Sequence, residues 1–264
     1  VPPAKRRLGQ HFLFDPGILE RIADALGATR EDTVLEIGPG PGGLTEALAA
    51  RAGKVVAIEK DPDLLPALRR RVSGVTVVHA DALDADWREV AGPDHLVAGN
   101  IPYNITSPLI DKALAPPRPR RIVFLVQKEV ADRVASEPGG EAYGALSVGV
   151  QSVARAERLF TVPAGAFRPR PQVDSAVLRL TPLAEPMVSD SEVEPYRRLV
   201  VGVFGFRRKQ IGRGLRELTG WDAGRVEAAL QLAGIEARAR PETVPPGRFA
   251  ALLRALVDGG WTAR

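Results

Sequence analysis

Short apolar runs recur along the first half of the chain, each followed by a helical stripe, and no other feature constrains the fold as much. The runs are Thr33-Val34-Leu35-Glu36-Ile37, Val55-Val56-Ala57-Ile58-Glu59, Val75-Thr76-Val77-Val78, Leu96-Val97-Ala98-Gly99 and Arg121-Ile122-Val123-Phe124-Leu125-Val126. They are continuous rather than alternating, so both faces of each strand must be covered, which is the condition of a parallel sheet between helices. Helical stripes supply the cover: Leu44 with Leu48, then Leu64, Leu65 and Leu68, then Ile105 to Leu114. An earlier helix starts at Asp15-Pro16, carries Ile18, Leu19, Ile22 and Leu26, and stops at Gly27. That is an Asp N-cap, a first-turn Pro and a C-terminal Gly. Two later runs, Ala156 to Val162 and Val173 to Leu180, flank a proline-rich link with no crossover helix and predict an antiparallel edge.

Past Pro182 no strand is evident. Tyr196-Leu199-Val200-Val203-Phe204, Ile211-Leu215-Leu218, Val226-Ala229-Leu230 and Phe249-Leu252-Leu253-Leu256 have helical spacing. The expected organisation is a sheet domain over residues 1–184, beginning with the basic segment Lys5-Arg6-Arg7, and a helical domain over 185–264. The latter carries the cluster Arg207, Arg208, Lys209, Arg213 and Arg216.

In open α/β sheets ligands sit at the carboxyl ends of the strands, and several unusual residues fall there. After the first run comes Gly38-Pro39-Gly40-Pro41-Gly42-Gly43, a turn through which backbone can approach a ligand. Its spacing is not that of the dinucleotide or P-loop turns. Glu59 ends the second run, where a carboxylate can accept from two ribose hydroxyls. Asp81 follows the third and could accept an adenine amine. The fourth run ends in Asn100-Ile101-Pro102-Tyr103. Pro forbids further pairing. Asn offers an acceptor and a donor, and Tyr a ring face and a hydroxyl. This pair suits the edge and face of a planar amino-heterocycle, and equally a strand that ends in a proline turn.

Absences narrow the chemistry. There is no Cys, and the three His (His11, His79, His95) are scattered, so neither a disulfide nor a metal site is expected. No run of about twenty apolar residues suggests a membrane helix, and no signal-type stretch follows the basic start. A net charge of +4 permits nucleic-acid binding without requiring it.

Taken in order, Gly9-Gln10-His11-Phe12-Leu13, Leu35-Glu36-Ile37-Gly38-Pro39-Gly40, Glu59, Asp81-Ala82 and Asn100-Ile101-Pro102-Tyr103-Asn104-Ile105 resemble the ribosomal RNA adenine dimethyltransferases. So do Gln127-Lys128-Glu129-Val130, Tyr143-Gly144 and the stretch from Phe167 to Ser175. The resemblance covers nearly the whole chain and is strongest to the bacterial enzymes that act on small-subunit (16S) RNA. It implies a Rossmann-like class I methyltransferase fold, α/β, with a mostly parallel seven-stranded sheet and a small all-helical C-terminal domain that contacts RNA or the ribosome. It implies S-adenosylmethionine as donor and N6-dimethylation of two adjacent adenosines, single-stranded or flipped, near the 3′ end of 16S rRNA.

Carried over by position, His11, Leu13, Gly38, Glu59, Asp81 and Asn100 would contact the donor. Asn100, Pro102 and Tyr103 would hold the target base, with Phe167 stacking on it. His11 departs from the family's usual Asn, and Arg170 from a frequent Pro. A cytoplasmic monomer is expected. The rival expectations are a large-subunit RNA dimethyltransferase, a DNA N6-methyltransferase (where Asp-Pro-Pro-Tyr is more usual) and a ribosome-assembly factor that mainly binds RNA.

Overall fold

A computed structural model of the chain describes residues 3–206 and 208–262, Arg6 by its backbone alone. The strands are β1 (Phe12–Leu13), β2 (Thr33–Ile37), β3 (Lys54–Glu59), β4 (Thr76–His79), β5 (Leu96–Asn100), β6 (Ile122–Gln127), β7 (Ala154–Val162), β8 (Phe167–Arg168) and β9 (Ser175–Pro182). Seven form one sheet in the order β4-β3-β2-β5-β6-β9-β7. The first five are parallel, with Leu35 level with Val56 and Val97, and β9 runs antiparallel to β6 from Ile122↔Leu180 to Gln127↔Ser175. This is the mostly parallel seven-stranded sheet expected, and each continuous apolar run became one of its parallel strands.

The helices of this part are α1 (Pro16–Leu26), α2 (Gly43–Ala49), α3 (Leu65–Arg71), α4 (Trp87–Ala91), α5 (Thr106–Leu114) and the start of α6 (Lys128–Ala135). The Asp15 carboxylate accepts from the Ile18 N–H, and Gly27, at φ 66°, closes α1. α1 and α2 bury Ile22, Leu26, Leu44 and Leu48 against Val34, Val55, Leu96 and Val123. Each such side chain removed from water contributes about 1.5–3 kcal/mol.

The chain divides into two compact units: residues 1–131 with 156–182, and residues 132–155 with 183–264. The segment 132–155 groups with the helical residues 183–264 rather than with the sheet. The second unit holds α7 (Ala145–Gln151), α8 (Val193–Gly205), α9 (Ile211–Thr219), α10 (Ala223–Leu232) and α11 (Pro246–Asp258). Its core is aromatic: the Tyr143 and Phe204 rings are 6.3 Å apart, and those of Phe204 and Phe249 6.0 Å. The buried hydroxyls of Tyr143 and Tyr196 donate to the Val244 and Pro246 carbonyls, both at 2.9 Å. That pairing is what burying a phenol requires.

A second, two-stranded sheet pairs β1 with β8, Phe12 opposite Arg168 and Leu13 opposite Phe167. It bears on two of the expected site residues. Phe167 is fully buried, and with Leu13 it belongs to the core around α1 and α2. The pairing turns the Phe167 ring inward, so its place is packing rather than the surface of a base pocket.

Phe167→Leu should therefore behave as a large-to-small core change, costing about 1–3 kcal/mol in urea unfolding. The RNA KM should stay within twofold of wild type. A tenfold rise in RNA KM at unchanged stability would restore the stacking role.

Candidate functional site

The parallel order brings the carboxyl ends of β2, β3, β4 and β5 to one end of the sheet, and a cavity of about 140 Å³ opens there. His11, Gly38, Glu59, Asp81, Asn100, Pro102 and Tyr103 all line it. Of the residues carried over by resemblance, only Leu13 and Phe167 are outside the lining. Ile37, Ile58, Ala80, Ala82 and Ile101 give the cavity apolar walls.

The glycine turn sets its floor. Gly38 has φ +67° and donates its N–H to the Ile58 carbonyl at 3.0 Å, which bends the chain off β2. Gly40 has φ +55°, and a Cβ there would meet the Phe12 ring at 3.1 Å. A side chain at Gly40 is thus opposed by both backbone and space.

Glu59 is buried, and its two oxygens accept from backbone N–H groups: Gly40 at 3.1 Å and Asp61 at 2.7 Å. Burial pushes its pKa up, and those two hydrogen bonds hold it down in part. Asp81 accepts from the Leu83 N–H at 3.0 Å and from Lys60, whose ammonium holds the carboxyl below its usual range. Both acids keep lone pairs free for a ligand's hydroxyl or amine.

The Asn100 amide is oriented by the N-terminal segment: Nδ2 donates to the His11 carbonyl at 2.8 Å. Its Oδ1 is then the atom left to act as acceptor. The His11 ring stacks on Tyr103 (centroids 5.5 Å apart, planes at 25°), and its Nδ1 lies 2.8 Å from the Pro169 carbonyl. The Tyr103 hydroxyl is 2.7 Å from Ser175 Oγ, and burial raises its pKa, so it stays a neutral phenol. The Pro102 carbonyl already accepts from the Ile105 N–H and from Thr106 Oγ1. The neighbouring Ile101 carbonyl is left as the backbone acceptor beside Asn100.

Glu36 is a site neighbour that the residue pattern did not single out. It sits in β2 directly before the turn, fully enclosed, and burial raises its pKa to about 8. Its Oε2 and the Thr45 Oγ1 find no hydrogen-bond partner among the described residues. An apolar run containing one acid was the available signal, since a carboxyl inside a two-sided strand has nowhere wet to go.

Among the basic cluster, Arg208, Arg213 and Arg216 are exposed. Lys209 pairs with Glu217 at 3.2 Å and lies over the Phe206 ring. Arg207 falls outside the described residues. No helix among the described residues is long and apolar enough to cross a membrane.

A family model described as ribosomal RNA adenine dimethylase matches residues 2–256. The ribosomal RNA small subunit methyltransferase A of Geobacillus thermodenitrificans is 42% identical over 268 residues, covering 96% of this chain and 91% of the relative. The protein of the same name from Geobacter metallireducens is 41% identical and covers 97% of each. Among solved structures, the 23S rRNA methyltransferase ErmE is 33% identical with a TM-score of 0.75, over 93% of this chain and 99% of that one. A dimethyladenosine transferase from Plasmodium falciparum, 24% identical, shares the fold with a TM-score of 0.83 over 95% of this chain and 99% of that one.

The state of Glu36 gives a test by pH. Its folded pKa lies above its unfolded one, so its contribution to stability is complete below about pH 4.5 and is lost as pH rises to about 8. Glu36→Gln cannot ionise. Its stability relative to wild type should therefore climb across that window, read from urea midpoints at each pH, and level off above it. A difference independent of pH would show that Glu36 is charged in the folded protein.

Proposed function

The chain belongs to the ribosomal RNA adenine dimethylase family, and from that premise we propose that it transfers methyl groups from S-adenosylmethionine to N6 of two adjacent adenosines near the 3′ end of 16S rRNA. The reaction belongs to small-subunit maturation, where the protein acts on the rRNA as a cytoplasmic monomer. The observation that carries the reading is the fixed amide of Asn100, with its oxygen left as acceptor at a cavity that also holds Glu59 and Asp81.

The cavity's chemistry fits the donor. Glu59 is a buried carboxylate beside the glycine turn, suited to two ribose hydroxyls. Asp81 suits the exocyclic amine of adenine, and the apolar walls suit its ring faces. Gly38 and His11 border the same space. When bound, the donor supplies an electrophilic sulfonium methyl.

The chain's own residues then make an amine ready to react. The adenine N6 lone pair is delocalised into its ring and attacks poorly. Asn100 Oδ1 and the Ile101 carbonyl accept the two N6 hydrogens, which favours a pyramidal nitrogen and localises the lone pair. The Tyr103 ring, held by Ser175 and stacked on His11, supports the base, a contact worth about 1–3 kcal/mol. Catalysis is mainly positioning and electrostatics. A base inside a helix cannot reach such a recess, so the substrate adenosine is single-stranded or flipped. Arg208, Arg213 and Arg216, exposed on the helical unit, are suited to phosphates.

The likeness to ErmE gives a second reading, methylation of large-subunit RNA. The relatives at 41–42% identity carry the small-subunit name and favour the first. The two separate when the protein and labelled donor meet immature small subunits, large subunits and duplex DNA. Label is expected as N6,N6-dimethyladenosine in the small-subunit RNA alone, and label in either other substrate would overturn the assignment. Asn100→Ala should lose at least a hundredfold in turnover, of the order expected when a transition-state hydrogen bond is removed. Its donor affinity, read by calorimetry, should stay within threefold. Near-normal turnover would contradict the role given to Asn100.

A further inference from the structure

One carboxylate near the cavity belongs neither to its lining nor to the residues assigned so far. Asp61 lies two residues past Glu59, between the exposed Lys60 and Pro62, yet its own side chain is only 1% exposed. What covers it is the N-terminal segment. Lys5 Nζ donates to Asp61 Oδ1 at 2.5 Å, and Gln10 Nε2 donates to Oδ2 at 3.0 Å. Lys5 also reaches Asp63 at 2.6 Å, and its backbone N–H donates to Gln10 Oε1 at 2.7 Å. On its other side the Asp61 N–H donates to Glu59 Oε1 at 2.7 Å.

We propose that Asp61, with Lys5 as its counter-charge, is a positioning residue for the methyl donor. It acts through Glu59 on one side and through the segment 5–10 on the other. The inference rests on the reading of the cavity as the donor site.

Three observations carry it. First, the groups aimed at the Asp61 carboxylate are all donors: Lys5 Nζ, Gln10 Nε2 and the Asp63 N–H. An ionised carboxylate accepts from all three, whereas an amide of the same shape must turn an N–H towards one of them. A residue serving only the local turn would need the Asp63 contact alone.

Second, the segment being held is a wall of the cavity, to which Arg7, Leu8, Gly9 and Gln10 contribute. Before β1 begins at Phe12 this wall has no strand partner, so the Lys5–Asp61–Gln10 contacts fasten it. A short turn, Leu8 N–H to Lys5 carbonyl at 3.0 Å, supports it locally.

Third, the same residue fixes the carboxylate assigned to the ribose. Glu59 is held by backbone N–H groups, Gly40 on one oxygen and Asp61 on the other. A shift of the turn at Asp61 therefore moves an acceptor in the donor site. The lesion should stop there. From Phe12 onward the chain is pinned by β8, so the His11 carbonyl that orients Asn100 is anchored independently of Asp61. Asp61 should thus govern donor affinity and leave the methyl-transfer step itself nearly untouched.

The test measures binding of S-adenosylhomocysteine by calorimetry alongside kcat and donor KM, for wild type, Asp61→Asn, Lys5→Met and Lys5→Arg. Thermal unfolding is recorded for each. Asp61→Asn is expected to raise Kd and donor KM at least tenfold with kcat at saturating donor within threefold. Lys5→Met should raise Kd three- to tenfold, and Lys5→Arg, which keeps the charge, should return it to within twofold of wild type. The Lys5 variants decide the matter should Asp61→Asn fail to fold, because Lys5 lies near the surface. Unchanged Kd in Lys5→Met, equal defects in Lys5→Met and Lys5→Arg, or a fall in kcat at unchanged Kd would overturn the inference. Wild type that fails to bind S-adenosylhomocysteine would overturn the donor-site reading instead.

Discussion

The hydrogen bond from Asn100 to the His11 carbonyl joins two parts of the chain that are 89 residues apart, and the site is arranged around it. β5 can place Asn100 at the carboxyl end of a central strand, but a free amide there could present either end. The N-terminal segment removes that freedom by accepting from Nδ2. Pro102 then stops the strand and carries Tyr103 out of the sheet, where His11 stacks on its ring and Ser175 of β9 meets its hydroxyl. Strand, N-terminal segment and the antiparallel strand β9 each fix one group, so the arm proposed to hold the base is over-determined. Such over-determination is what positioning catalysis demands.

Electrostatics around the cavity follow a single rule: each carboxylate has a different means of tolerating its surroundings. Asp81 keeps some exposure and pairs with Lys60. Asp61 is covered but surrounded by donors, and its pKa is lowered despite burial, by Lys5 and Gln10. Glu59 is covered, and burial raises its pKa more than its backbone N–H partners lower it. Glu36 is enclosed without such partners and rises furthest, to about 8. The gradient runs from the part-exposed, paired Asp81 to the enclosed Glu36 in β2. It leaves the two acids that line the cavity, Glu59 and Asp81, with acceptor capacity unspent.

Much of this was legible in the residues. The parallel strands announced themselves because two-sided burial leaves a continuous apolar run, and α1 because Asp15, Pro16 and Gly27 mark its ends chemically. Gly38, Glu59, Asp81 and Asn100 could be placed at strand ends by counting. The rest depends on contacts between distant segments, which leave no local period. β1 and β8 are two residues each, too short for any alternation to show. Phe167 sits among Arg and Pro, where the residues fit a stacking ring and an inward-packed loop Phe alike, and only its pairing opposite Leu13 places it in the core. The bond between Lys5 and Asp61 spans 56 residues. The segment 132–155 joins the helical unit through partners such as Val244 that only folding brings near.

The account stands on which atom of Asn100 faces the target base. The most direct measurement is a crystal structure with S-adenosylhomocysteine and adenosine bound together. The expected result has Asn100 Oδ1 and the Ile101 carbonyl within hydrogen-bonding distance of the adenosine N6, and Nδ2 still on the His11 carbonyl. Glu59 would meet the ribose hydroxyls of S-adenosylhomocysteine. An Asn100 released from His11 and donating to the base, or a base seated away from Asn100, would contradict it.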